Sequence, residues 1–320
     1  MLSITVNNRN WQNEKNKALI VFFNENTGEY KVIKEEVLPD NLIDDENYKS
    51  FGCYSKDEFL YVANHDKLIK LDREGNYISH ITLNNFSNPH QILVTDDIKC
   101  FTNTDKDIIE LTYKDKHFMI DIKTLDNVVN DINHGKSYLL HDDNHHVNSL
   151  CLNDNKIYFC LHNRGSKPSQ YFYIDLKTEQ IHYICDYGQT VHNCEVEGDF
   201  LYTLNTRRAC FACINLRDGK FWEWSLVDKS KEDFLYVNRE DYFLRGLVLT
   251  KDYFIIGASL THTNVNNGNS IVLYVDRETK EIVKRYNIEG YNCINDIRQM
   301  EEIEEIEEIN LENYLPVNQE

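Results

Sequence analysis

Proline is scarce, four in 320 residues, and basic residues are outnumbered, 34 Lys and Arg against 53 Asp and Glu. The formal charge of −19 argues against nucleic-acid backbones and anionic membranes as partners. Part of that excess sits in the tail "MEEIEEIEEINLENY", so the body is less acidic than the total. No span approaches the roughly 20 apolar residues that cross a bilayer, and the opening "MLSITVNNRNWQNEKNK" holds no long apolar segment. The expectation is a soluble, cytoplasmic protein. Walker loops, G-x-S-x-G elbows and dinucleotide fingerprints are also missing, which turns attention away from nucleotide and α/β-hydrolase chemistry.

The nine cysteines are odd in number, and most lie inside apolar runs, as do Cys100, Cys151, Cys160, Cys185 and Cys194. Such positions suit reduced cysteines that act as small core hydrophobes. Cys210 and Cys213 in "RACFACIN" have the spacing of a redox or zinc pair, but they sit in a strand-like run without a second pair nearby. A core role is expected for them.

Few prolines and abundant Tyr, Phe, Ile and Val favour β structure. A hairpin signature recurs in "VFFNENTGEYKVI", "LIKLDREGNYISH", "FYIDLKTEQIHYI", "CINLRDGKFWEW" and "LYVDRETKEIVKRY". Each is an apolar run, a polar turn and a second alternating run, the chemistry of two antiparallel strands joined tightly. A second signature precedes most of these hairpins: "FGCYSKDEFLYVAN", "HQILVTDDIKCFTN", "NSLCLNDNKIYFCLHN", "HNCEVEGDFLYTLN" and "RGLVLTKDYFIIGA". It has a polar or aromatic head, a short apolar strand, an acidic turn and a strand that often ends in Asn.

Together the two signatures make units of four short strands and about 40–55 residues, which is the repeat of a β-propeller blade. Five units carry both. The first hairpin lacks its opening strands, and "YNCINDIRQM" looks like an opening strand without a hairpin. These halves complete one another. The expectation is therefore an all-β, six-bladed propeller closed by its N- and C-terminal strands, with five or seven blades as alternatives because the first 16 residues are unassigned. It occupies residues 1–300, and residues 301–320 form an acidic tail with a short helix. The stretches "DNVVNDINHGKSYLLHDDNH" and "VDKSKEDFLYVNREDY" exceed ordinary blade loops and are candidates for functional loops.

Aligning the acidic turns places Phe51, His90, His192 and Arg245 in register, with the third copy ambiguous around His146, Asn148 and Ser149. The first strand of each blade lines the channel, so these heads converge on one mouth. Asn148, Asn193, Asn295 and Asp296 are their expected neighbours and candidate substrate contacts. Three imidazoles, His90, His146 and His192, suit a divalent ion such as Zn²⁺ with one position left open. Arg245 suits a carboxylate or phosphate through its planar fork, and a histidine or metal-bound water suits a catalytic base. The plainer alternative is that these side chains bind ordered water or cap strand ends.

Other candidates carry less. His141, His145 and His146 stand with Asp142 and Asp143 in a loop, where only His146 nears the channel. His162 ends a second strand where Asn64, Asn103 and Asn205 stand elsewhere, and reads as a structural turn. Arg164, Arg207 and Arg208 offer anion contacts or simple exposure.

Taken together, "HHVNSL", "VHNCEV" and "FLRGLVL…IIGAS" resemble the NHL-type six-bladed propellers whose blades open on histidine, as in peptidylglycine amidating lyase and streptogramin lyase, and also uncharacterised bacterial propellers. The resemblance implies a zinc held by channel histidines, as in the first, or a histidine near a divalent ion abstracting a proton, as in the second. It points to His90, His146 and His192. The chain departs from both in placing Arg245 on the ring and in lacking a secretory signal.

The leading expectation is a metal-assisted lyase or hydrolase acting on a small anionic or peptide-like substrate. The alternative is a non-catalytic propeller that presents its loops or tail to a protein or glycan partner.

Overall fold

The computed structural model describes residues 1–7, 18–42, 50–64, 66–83, 88–123, 129–131, 145–165, 167–227, 237, 241–261 and 268–300. The expected C-terminal helix, His141, Asp142, Asp143 and most of the two long loops lie outside the described residues.

Six sheets form a ring. Strands β1 (Leu2–Asn7), β2 (Ala18–Phe23) and β3 (Tyr30–Lys34) belong to the sixth blade. Blade one is β4 (Ser50–Lys56), β5 (Phe59–Asn64), β6 (Lys67–Asp72) and β7 (Tyr77–Thr82). Blade two is β8 (Ile92–Val94), β9 (Ile98–Asn103), β10 (Ile108–Tyr113) and β11 (Lys116–Asp121). After β12 (Val129–Asp131) comes blade three: β13 (Val147–Asn153), β14 (Lys156–Leu161), β15 (Gln170–Asp175) and β16 (Gln180–Asp186). Blade four is β17 (Val191–Glu197), β18 (Phe200–Asn205), β19 (Cys210–Asn215) and β20 (Phe221–Ser225). Blade five is β21 (Tyr242–Leu249), β22 (Tyr253–Leu260), β23 (Ser270–Asp276) and β24 (Ile282–Ile288).

β25 (Cys293–Gln299) pairs antiparallel with β1, Leu2 opposite Gln299 and Ile4 opposite Ile297, and so completes blade six. The expected closure is present, and β1 supplies the strand that the first 16 residues had left unassigned. One difference concerns the first long loop. Val129–Asp131 forms a fifth strand that runs parallel to β16 on the outer edge of blade three. Three residues, "VND", carry no periodicity by which to anticipate it. The strand covers an edge that would otherwise offer unpaired backbone groups.

Local chemistry explains both repeated signatures. In the hairpins, Asp72, Asp175, Asn215 and Asp276 each accept a backbone N–H from two to four residues further on. Each turn then needs a left-handed residue, met by Gly75 (φ 92°), Glu179 (φ 59°), Gly219 (φ 69°) and Lys280 (φ 63°). Left-handed Asp57, Asp154 and Gly198 stand at equivalent places between the first and second strands of their blades.

The core is six apolar clusters, one between each pair of neighbouring blades. Leu93 and Ile109 meet Phe159 and Phe172 between blades two and three. Phe211 meets Phe254 between blades four and five, with ring centroids 4.3 Å apart. Each wholly buried aromatic contributes roughly 1.5–3 kcal/mol. All nine cysteines are free thiols, eight of them buried. Cys210 and Cys213 lie three apart on β19, so their side chains leave opposite faces of the sheet and form no pair.

Candidate functional site at the channel mouth

Every innermost strand except the short β8 is interrupted by a β-bulge at the same level. The register breaks between Ser50 and Cys53, Val147 and Ser149, His192 and Cys194, Leu244 and Leu247, and opposite Thr5/Val6 at Asn295. A bulge places two consecutive side chains toward the channel where a regular strand would place one. This accounts for the consecutive polar residues His192–Asn193 and Asn295–Asp296; His90–Gln91, just before the unbulged β8, and Arg245–Gly246 stand at the corresponding places.

The first members of these pairs gather at one mouth. The His90 and His146 ring centroids are 5.0 Å apart, and those of His90 and His192 6.5 Å. Phe51 stacks on His90 at 5.9 Å. A fourth imidazole joins them. The His162 ring lies 4.9 Å from both His146 and His192 while its Nδ1 accepts the Arg164 backbone N–H, so the residue serves its turn as expected and also joins the cluster. Sequence alignment missed it because His162 follows a second strand, one residue beyond the end of β14, and reaches the mouth from outside the register.

The hydrogen bonds fix two of the four rings. Thr206 Oγ1 donates to the Leu244 carbonyl at 2.9 Å and therefore accepts from His192 Nδ1, also at 2.9 Å. His192 thus carries its proton on Nδ1, and its Nε2 is a buried lone pair without a partner. His162 is the reverse. Its Nδ1 accepts the Arg164 backbone N–H at 3.1 Å, which leaves the proton on Nε2. His146 is held in a left-handed conformation (φ 52°) by Asp107, whose carboxylate accepts the backbone N–H groups of His145 and His146 at 3.1 and 2.5 Å. His146 Nδ1 is likewise buried and unpartnered.

Electrostatics keeps all four rings neutral. Burial first, and then the nearby Arg245, hold His90 and His192 well below the ordinary imidazole range. For His162 burial is followed by His146 and then Arg245. His146 falls to about 4, through burial, Arg245 and Arg164, against which Asp105 pulls weakly upward. Arg245 itself donates from Nη1 to Asn295 Oδ1 at 2.9 Å. The mouth is therefore a desolvated imidazole cluster beside a cation.

Asparagine side chains of the inner strands form a belt that joins the blades. Asn148 Nδ2 donates to the Val191 carbonyl (2.9 Å), Asn193 Oδ1 accepts from the Gly246 N–H (2.7 Å) and Asn295 Nδ2 donates to the Ser50 carbonyl (2.6 Å). Each bond links one blade to the next. At the centre, Asp296 Oδ1 accepts from Gln91 Nε2 (2.9 Å) and Asn193 Nδ2 (3.2 Å), while Oδ2 accepts from Arg298 Nε at 3.1 Å. Of the expected substrate contacts, the side chains of Asn148, Asn193 and Asp296 are thus engaged in holding the ring together, and Asn295 joins Arg245 to blade one. Gln91, Arg298 and Glu195, which bonds Arg298, were not anticipated. Only the pairing of a polar residue with each head hinted at them.

Among the described residues, no three His, Cys, Asp or Glu side chains converge on one point at metal-ligand distance. The donor chemistry suits a divalent ion, with neutral imidazoles and two buried nitrogens lacking partners. A three-histidine site requires the rings to turn from this packing, in which His90 stands edge-on to His146 and stacks with His192.

The fold and site define a six-bladed β-propeller with a histidine-lined mouth. No protein-family model matches the chain, and no curated protein matches it. Similar solved structures are a chain of a nidogen/laminin complex, with TM-score 0.63, 10% identity and 92% of this chain and 96% of that one covered. Another is a Bacteroides caccae protein of unknown function, with TM-score 0.59, 11% identity and coverage of 92% and 97%. At such identities the likeness is one of fold. No helix among the described residues is long and apolar enough to cross a membrane.

Proposed function

We propose that the histidine mouth is an active site that binds a small anionic or peptide-like substrate and moves a proton on it, as a lyase or hydrolase. One observation carries this reading: Thr206 locks His192 so that its Nε2 lone pair is buried among neighbouring imidazoles with no partner. A neutral, desolvated imidazole with a free lone pair is a poised general base. His162, 4.9 Å away with its proton on Nε2, is suited to return a proton to a leaving group or oxyanion. Arg245 supplies the anion anchor, and its charge discourages either ring from resting in the protonated state.

A divalent ion, zinc by donor type, belongs to the same reading. His90, His146 and His192 would hold it, the His192 Nε2 lone pair then being a ligand in place of a base, and it would polarise a substrate oxygen. The NHL-type resemblance to amidating and streptogramin lyases supports this version. The rival, a propeller that only presents surfaces to a partner, draws support from Phe221 and Trp222, which stand half-exposed on β20.

Metal analysis of the purified chain, with calorimetric titration of ZnCl₂ and inorganic phosphate, tests the reading. The expected result is phosphate binding that weakens at least tenfold in Arg245→Met. Near-stoichiometric zinc, lost in a His90→Ala/His192→Ala variant that still unfolds cooperatively, supports the metal version. Absence of both zinc and phosphate binding overturns the active-site reading and leaves the surface role.

A further inference from the structure

The channel has a second mouth, at the opposite ends of the innermost strands. A cavity of about 380 Å³ opens there, lined by Tyr54, Leu93, Leu152, Glu195, Leu247 and Arg298 among others. That volume falls in the range of small-molecule sites, about 300–1,000 Å³. The Asp296 belt separates it from the histidines, and neither the sequence motifs nor the proposed reaction uses it.

We propose that this cavity is a binding site for a small organic cation, an ammonium on a compact apolar body, with Glu195 as its counter-ion. The charges decide the sign. Arg298 looks like an anion site, but each of its three nitrogens already donates to a protein acceptor. Its Nε donates to Asp296 Oδ2 at 3.1 Å, its Nη1 to Glu195 Oε1 at 2.6 Å and its Nη2 to the Leu150 carbonyl at 3.4 Å. Two carboxyl groups, Asp296 and Glu195, face that one guanidinium, so with both ionised the group carries one excess negative charge. Glu197 at the rim is already matched by Arg277. Glu195 accepts from Arg298 through Oε1, and the Cys151 thiol also interacts with its carboxyl group. An incoming ammonium finds an acceptor there, and Leu93, Leu152 and Leu247 offer its body an apolar wall.

The charged and titratable groups that act on Glu195 are Arg298 and Asp296 from β25 and Cys151 from β13. Burial is the largest influence and lifts its carboxyl to about 7. A cation needs the ionised form, so binding is full above pH 7 and weakens as pH falls, by up to about tenfold per unit.

Isothermal titration of the full chain with 4-methylpentylammonium, and with 4-methylpentanoate as an anion of matched shape, tests the assignment. The amine is expected to bind at pH 8, at least fivefold more weakly at pH 6, and at least tenfold more weakly to Glu195→Gln. His192→Gln is expected to leave its affinity unchanged, which separates this site from the histidine mouth. Should Glu195→Gln fail to fold, Leu152→Trp, which fills the cavity from its half-exposed wall, is expected to abolish binding instead. The assignment is overturned if the amine fails to bind at millimolar concentration, if the carboxylate binds equally well, or if both variants bind like the wild type.

Discussion

Thr206 Oγ1 lies 2.9 Å from both His192 Nδ1 and the Leu244 carbonyl, so one hydroxyl, together with the Thr190 carbonyl 3.2 Å from the same nitrogen, holds the tautomer of a buried imidazole and ties blade four to blade five. Thr206→Val keeps the shape and removes both bonds. We expect a loss of about 1–3 kcal/mol from the two buried hydrogen bonds removed, together with a change in the His192 ring ¹⁵N shifts as Nδ1 is left with only the longer bond to the Thr190 carbonyl. Long-range ¹H–¹⁵N spectra read the second effect. Unchanged shifts would remove Thr206 from its orienting role.

Acid should destabilise the metal-free protein. His90, His146, His162 and His192 stay neutral in the folded chain, whereas in the unfolded chain they take up protons near pH 6.5. Their contribution is complete above that pH and is lost as pH falls toward 4, where His146 itself protonates. Glu195 acts in the opposite sense: raised to about 7, it binds a proton in the folded chain first, so its contribution declines as pH rises from 4.5 through 7. Buried Asp296 is shifted in the same direction as Glu195. Four groups outweigh these two, and each net proton changes stability by about 1.4 kcal/mol per pH unit. Urea unfolding in EDTA between pH 7 and 5 should show the decline, flattened in His192→Gln and steepened in Glu195→Gln. A flat profile in the wild type would contradict the buried, neutral cluster.

Gly257 faces the bulge that presents Arg245. A Cβ there would collide with the Arg245 carbonyl oxygen and come within 2.9 Å of Ile294 Cγ2. Gly257→Ala should cost about 1–3 kcal/mol by overpacking and displace Arg245 from Asn295. Thermal unfolding and phosphate titration give the two readouts, and a variant normal in both would show that the bulge tolerates a wider approach.

Asp296 is wholly buried and accepts from Gln91, Asn193 and Arg298. Asp296→Ala leaves the guanidinium with Glu195 alone, and breaking a buried pair this way costs about 3–5 kcal/mol. Equilibrium unfolding should show that loss. A cost below 1 kcal/mol would mean that water replaces the carboxylate without penalty.

The blades were legible because their signals are local. Alternating apolar runs mark strands, and an Asp or Asn before each hairpin turn marks the reversal, as at Asp175 and Asn215. Aligning the acidic turns between the first and second strands of each unit was enough to bring His90, His192 and Arg245 toward one mouth. What escaped was set by tertiary geometry. His162 reaches the cluster from the loop after β14, and nothing in its neighbours differs from a turn. Gln91 looked like an ordinary polar residue beside a histidine, yet it bonds both Asp296 and the Leu150 N–H across a blade boundary. Glu195 and Arg298 stand in alternating strands as surface charges would, and only ring closure turns their faces inward.

The closing strand β25 brings Asn295, Asp296 and Arg298 into a channel whose other walls are translated earlier. A nascent chain that has already made its histidines is therefore still an open arc with no central anion to bind Gln91 and Asn193. Both mouths come into being together, at the moment β25 docks against β1, and a ribosome that halts short of that strand releases a molecule with neither.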